Sequence, residues 1–268
     1  MNSDSQDWLM TSVGHATPDA ITVRGHDLAN EVMGRMSFAD LAFLLAAGSK
    51  PSEAEATLFN AVLVSLADHG LTPTALAARL TYTGAPEALQ GAVAAGLLGG
   101  GSVFLGPVED TARFLHEVLE SLASEQRSED AALRAAAGEA VGETLDAGKR
   151  IPGLGHPIHR ETDPRTPRLY QLARGVGLLG PHMKLLEFVA AAHQTATTKA
   201  LPINGAGAAG AVLADLGFPP PLTRGFALLA RTAGLIGHLA EESERPIGMR
   251  LYKEVDARAS GGAEPETP

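Results

Sequence analysis

A chain of 268 residues, 45% hydrophobic and 19% charged, is long enough for one large or two modest folded units around a sizeable core. Its formal charge of −10, from 21 basic and 31 acidic residues, opposes phosphate backbones and makes nucleic acid a poor partner. The lack of cysteine removes disulfides, thiolate metal sites and thiol nucleophiles together, and with only 4% aromatic residues the core must come mainly from Ala, Leu and Val.

Residues 1–20 are polar and are expected to be flexible. They lack a basic stretch followed by an apolar one, so no signal peptide is expected and a cytoplasmic location is the default. Ile21 to Arg24 reads as a short strand. Ser37 precedes the run Phe38 to Ala47, with Asp40 three residues on and Gly48 just past the end, which predicts a capped helix. Ser52 and Glu55 have capping-box spacing, and the helix they start carries Leu58, Val62 and Leu66 on one face and ends near Gly70. Further helices are expected at 86–98, 108–123, 128–147, 166–175, 182–198, 206–215 and 223–241. The most apolar stretch, Ala92 to Leu98, runs into Gly99-Gly100-Gly101 and falls short of the ~20 residues that span a bilayer. Residues 259–268 are small and polar and are expected to be disordered. No long segment alternates with period two, so the fold class is all-α.

Three segments rich in Gly and Pro read as loops: Gly99 to Pro107, 149–168, and Ala200 to Gly207. Loops on a rigid helical scaffold commonly carry function, although tight connection is the plainer reading of any single one. The richest is 149–168. There Gly153 and Gly155 let the backbone approach a ligand, and His156 follows directly. Arg150, Arg160, Arg165 and Arg168 are concentrated in it, within an otherwise acidic chain. Arginine forks match carboxylate and phosphate oxygens, and a histidine can donate to a carbonyl oxygen where charge develops. Solvated surface arginines are the alternative.

His156 and His159 form an HxxH pair, but no third ligand lies nearby in sequence and no HExxH occurs, so no metal is expected. His116, His182, His193 and His238 fall in helical segments and are expected to serve packing or the surface. The string Gly205-Ala206-Gly207-Ala208-Ala209-Gly210 does not follow a strand in a βαβ unit and supports a dinucleotide fold only weakly.

Several of these segments together resemble the citrate synthase superfamily, and especially its short citryl-CoA lyase branch, which includes the C-terminal part of ATP-citrate lyase. The opening segment from Ile21 to Pro51, Asp68-His69-Gly70, Ile151 to Arg165, Lys199 to Gly210, and Arg245-Pro246 with Leu251-Tyr252 carry the likeness. The match to the "PG.GH…R.TDPR" pattern is the most specific. The resemblance implies a citrate-synthase-like helical fold with a large and a small domain, and a homodimer. The large domain would take 21–98 and 220–258, and the small domain 99–219.

It also implies a reaction between an acyl-coenzyme A and a small di- or tricarboxylic acid, with no metal and no membrane. His156 would polarise the substrate oxygen and Arg165 would grip a carboxylate. Arg245, His69 and Asn204 would contact substrate. Ile151, Pro152, Gly153, Leu154, Gly155 and Arg160 would contact coenzyme A. The expected activity is cleavage of a citryl-CoA-like 3-hydroxyacyl-CoA to acetyl-CoA and an oxo acid. A synthase-type acyltransferase and an inactive CoA-binding homologue are the alternatives.

Two positions depart from the pattern. Phe104 stands where synthases carry a histidine, which is itself lyase-like. Ala206 stands where family enzymes carry a catalytic aspartate, and alanine transfers no proton. Either another acid, among Glu241, Glu242, Glu254 and Asp256, has taken over, or the chain binds a CoA ester without turning it over.

Overall fold

The computed structural model describes residues 10–260. In chain order the helices are α1 (Phe38–Ala47), α2 (Glu53–Ala67), α3 (Pro73–Gly84), α4 (Leu89–Leu105), α5 (Pro107–Glu120), α6 (Asp130–Asp146), α7 (Arg165–Gly175), α8 (Pro181–Thr197), α9 (Gly205–Asp215), α10 (Pro220–Glu244) and α11 (Gly248–Ala259). The all-α expectation holds. The only sheet among the described residues is a small antiparallel one of β1 (Gly14–Ala16), β2 (Ile21–Val23) and β3 (His26–Asp27), with β2 in the middle. Residues 14–16 are therefore a paired strand rather than part of a loose terminus. Residues 1–9 and 261–268, which carry the rest of the two terminal expectations, lie outside the described residues.

Both predicted helix starts are present. Ser37 Oγ accepts from Asp40 N at 3.1 Å while Asp40 Oδ2 accepts from Ser37 N at 3.3 Å, and Gly48 ends α1 in the left-handed conformation. Ser52 Oγ accepts from Glu55 N at 3.3 Å and Glu55 Oε2 accepts from Ser52 N at 2.8 Å. The predicted face of α2 is the buried one, with Leu58, Phe59, Val62 and Leu66 inside.

Three expectations need correction. First, Gly99 to Pro107 is not a loop: α4 runs through it to Leu105, breaking step only at Gly101, whose φ is +49°. The glycines serve contact, since a Cβ on Gly96 would meet Leu235 and one on Gly100 would meet Leu105 and Thr74. Second, α3 and α11 were not expected as helices. The start of α3 has a local signature, Pro73 in the first helical turn after the N-cap Thr72. Third, α4 and α5 follow one another so closely that Leu89–Glu120 is long and apolar enough to cross a membrane. The helix breaks step at Gly101, and α5 turns a buried stripe, Val108, Thr111, Ala112, Leu115, Val118 and Leu119, to the core, while α4 leaves Leu98 and Val103 exposed.

One buried cluster links Phe43, Phe59 and Phe226 with Leu115, Leu133, Leu169, Leu186 and Leu213. It holds α2, α5, α7, α8 and α9 as a frame. The loop between α6 and α7 is pinned to that frame.

Candidate active site

The loop is anchored on both sides. Ile151 is buried in the core at 5% exposure. Gly153 (φ +83°) and Gly155 (φ +79°) make turns that side chains would strain. Gly153 O accepts from Asn204 N at 2.9 Å, Gly155 N donates to Pro202 O at 2.8 Å, and Leu154 forms a bridge with Ile203. Asn204 closes the junction: its Nδ2 donates to Gly155 O at 2.9 Å and its Oδ1 caps α9 by accepting from Gly207 N at 2.8 Å. Much of the polar backbone between Gly153 and Gly155 is thus spent on docking to 202–204. The structure gives Asn204 the role of a brace.

The string 205–210 has a packing explanation. A Cβ on Gly207 would lie 2.6 Å from Gly153 Cα, and one on Gly210 would collide with Val108 O. These glycines let α9 press against the loop and against α5.

Arg165 begins α7 and is held by Asp163. Asp163 Oδ1 accepts from Arg165 N at 3.1 Å and Nε at 3.0 Å, and Oδ2 accepts from Nη2 at 2.7 Å and from Gly205 N at 2.7 Å. Asp163 is fully buried. Burial alone would raise its pKa, but the hydrogen bonds from Arg165 and Gly205 and the Arg165 charge outweigh it and hold the carboxyl at about 2. A side chain on Gly205 would strike Arg165 Nε, so the glycine admits the fork.

His156 turns back on its own loop. Its Nδ1 accepts from Ile158 N at 3.1 Å and from His159 N at 3.0 Å. A neutral imidazole with Nδ1 as acceptor carries its proton on Nε2. Burial, then the neighbouring His159 ring, lowers the pKa of His156 and favours this neutral ring. His156 is thereby fixed as a donor through Nε2, as needed for an oxygen on which negative charge grows.

Two histidines stand beside it. The His156 and His159 ring centroids are 4.5 Å apart, those of His69 and His156 5.3 Å, and His69 Nε2 faces His159 Nε2 at 3.4 Å. The sequence placed His159 only in an HxxH pair, and folding supplies the third ring from the end of α2, 90 residues away. The ligand atoms of the three lie within 4.8 Å of one another, a metal-like spacing. His156 is unsuited to such a site, because its Nδ1 is engaged and its Nε2 bears the proton.

Arg231, on α10, escaped the sequence reading. It is buried at 9% exposure, and its Nε and Nη1 lack hydrogen-bond partners. Nη1 lies 3.6 Å from Asp68 Oδ1. Burial, countered by Asp68 and aided by the Arg165 charge, lowers its pKa. Buried unpaired guanidinium hydrogens are costly, and an anion between Arg231 and Arg165 would satisfy them. The signal was available as spacing: Arg231, His238 and Glu242 recur on the face of α10 that also buries Leu235 and Leu239. The rest of that face is tied to α3 and α2. Buried Arg79 donates to Glu242 Oε2 at 2.9 Å, contacts Glu241, and meets His238 Nδ1 at 3.1 Å, while His238 Nε2 lies 2.9 Å from Asp68 Oδ1. Asp68 is lowered in pKa despite burial, by the Gly70 N–H and by His238.

The remaining expected residues lie farther out. Arg245 is exposed at the end of α10 and pairs with Glu241 at 3.1 Å; among the described residues no hydrogen bond joins it to the histidines. Arg150 and Arg160 are exposed and have no ion-pair partner among the described residues. Of the four substitute acids, Glu241 and Glu242 are engaged with Arg79, and Glu254 pairs with Arg258 at 2.8 Å. Asp256 is exposed on α11.

The sequence model described as "Citrate synthase, C-terminal domain" matches residues 24–253. Among solved structures, the chain is similar to citryl-CoA lyase from Hydrogenobacter thermophilus, at 35% identity and a TM-score of 0.78, covering 87% of this chain and 86% of that one. It is also similar to ATP citrate lyase from Methanosaeta concilii, solved as a mutant in complex with (3S)-citryl-CoA. That likeness has 25% identity and a TM-score of 0.72, over 88% of this chain and 39% of the other. A citrate synthase from Haloferax volcanii is 27% identical over 198 residues, 74% of this chain and 49% of that protein. The chain spans about half the length of the curated relatives it matches.

Proposed function

The chain belongs to the citrate synthase family, and on that premise we propose that it is a carbon–carbon lyase acting on a citryl-CoA-like 3-hydroxyacyl-CoA, releasing acetyl-CoA and an oxo acid. The observation that carries this reading is the likeness to a citryl-CoA lyase over nearly the full length of both chains. The site chemistry supports it. In cleavage, the hydroxyl oxygen of the substrate becomes a ketone and passes through a stage of developing negative charge. His156, a neutral ring with its proton on Nε2, is suited to donate to that oxygen. Arg165 and Arg231 supply charge for the substrate carboxylates, and Arg231 has the unspent hydrogens. Arg150 and Arg160, exposed in the loop and without ion-pair partners among the described residues, suit the phosphates of coenzyme A.

A second reading is a CoA-ester-binding protein without turnover. It is favoured by Ala206, an apolar residue in the first turn of α9 that follows Gly205, the glycine packed against the Arg165 fork. A homodimer with a large and a small domain, in the cytoplasm, goes with the first reading.

The test is direct. The purified protein is given citryl-CoA and related 3-hydroxyacyl-CoA esters, and acetyl-CoA release is followed. Turnover is expected, with His156→Ala lowering it about 10²–10³-fold, the cost of removing one preorganised donor, and Arg231→Ala weakening substrate binding. Binding of coenzyme A with no release from any ester supports the silent homologue. Net hydrolysis to free citrate instead supports a synthase-type enzyme. Unchanged cleavage by His156→Ala defeats the mechanism.

A further inference from the structure

Cleaving a 3-hydroxyacyl-CoA moves one proton from an oxygen to a carbon, so the site needs a group that takes the proton and returns it. The groups around the histidines can be taken in turn. Asp163 is buried, and both its oxygens are saturated by Arg165 and Gly205. Asp68 is likewise engaged, by Gly70 N at 2.8 Å on Oδ2 and by His238 and Arg231 on Oδ1. Arg165 and Arg231 are not bases near neutral pH. Ala206 has no polar group. His156 is held as a donor by the two N–H groups on its Nδ1. Among these groups, what remains is His69 and His159, the two rings in contact with His156.

We infer that His159, backed by His69, is the proton-transfer group of this site. The inference deepens the lyase reading and rests on it. His159 lies beside His156, with ring centroids 4.5 Å apart, so a donor to the substrate oxygen and an acceptor of its proton stand next to each other. The 3.4 Å separation from His69 Nε2 is long for a hydrogen bond, and the contact gives way readily to a substrate hydroxyl.

The step balances within the site. His159 takes the hydroxyl proton, and the O–H electron pair becomes the second bond of the new ketone. The carbon–carbon bond breaks and its pair enters the thioester enolate, while the His156 N–H holds the ketone oxygen. Protonated His159 then gives the same proton to the enolate carbon, which becomes the methyl group of acetyl-CoA. Between the two transfers its charged ring has the His69 lone pair as a partner. His69 is a positioning residue in this scheme.

The test uses the full chain with citryl-CoA, and separately with acetyl-CoA plus oxaloacetate in D2O. His159→Gln and His159→Asn keep a polar side chain at a partly exposed position, and circular dichroism and coenzyme A affinity confirm that each is folded. Both variants are expected to lose about 10²–10⁴-fold in kcat, the range for removing a positioned acid or base. Coenzyme A affinity should stay unchanged, and deuterium entry into the acetyl-CoA methyl group should fall with kcat. Cleavage by wild type with both variants within about threefold of it overturns the inference and leaves the lyase reading intact. Neither cleavage nor exchange by wild type overturns the lyase reading, and this inference with it.

Discussion

Asp163 and Arg165 show how two residues of one motif divide a task. The carboxylate is out of contact with solvent and binds the arginine through two oxygens, which leaves the guanidinium in one orientation. Because its folded pKa is about 2 against an ordinary value of 3.8, Asp163 contributes stability that is fully present above pH 4. That contribution, about 2 kcal/mol at 1.36 kcal/mol per pH unit, is lost as pH falls from about 4 to 2. Urea titrations across that range should show the loss in the wild type. Asp163→Asn should lack it and should be less stable at pH 7 by about 3–5 kcal/mol, the cost of breaking a buried pair and stranding Arg165. A variant as stable as wild type at pH 7 would mean that the fork is held by other contacts.

At the scale of elements, the site depends on how closely α9 meets the loop. Gly207→Ala places a methyl group 2.6 Å from Gly153 Cα, where backbone rather than a flexible side chain must move. The expected cost is about 1–3 kcal/mol of overpacking, with a larger fall in turnover than in stability, because the loop carries His156 and His159. Gly175→Ala, at a helix end where a Cβ meets nothing within 4 Å, is the control and should be near neutral. Equal effects of the two, measured by thermal melting and by citryl-CoA cleavage, would refute the close-contact account. The segment around Gly99–Gly101 teaches the same lesson in reverse. Its glycines suggest a loop, yet Gly99 and Gly100 sit in a helix where α3 and the end of α4 come too near for side chains, and Gly101 marks the break in that helix.

Across the whole molecule, the frame rests on a small aromatic knot in a chain poor in aromatics. Phe43, Phe59, Phe218 and Phe226 pack with ring centroids 4.7–5.8 Å apart, joining α1, α2 and α10 with the turn after α9. Phe59→Ala should cost about 3–5 kcal/mol in urea unfolding and should leave the Asp163–Arg165 pair intact below the transition. A loss under 1 kcal/mol would place the structural centre elsewhere. Residues from the segments expected to form the large and the small domain share this cluster with Leu133, Leu169 and Leu213.

What the amino-acid order determined was what is local. Capping boxes at Ser37 and Ser52, the turns at Gly153 and Gly155, and the His156-to-Arg165 motif depend on neighbours within a few residues and are readable as spacing. What only the tertiary structure decided was which distant groups meet. His69 comes to His159 across 90 residues, Asp68 to His238 across 170, and Arg231 is left with unpaired hydrogens beside them. A histidine or arginine in a helix looks the same in sequence whether it faces solvent, a partner or an empty site. Packing of the surrounding helices selects among these, and it acts through burial and hydrogen-bond satisfaction rather than through the residue's own propensity.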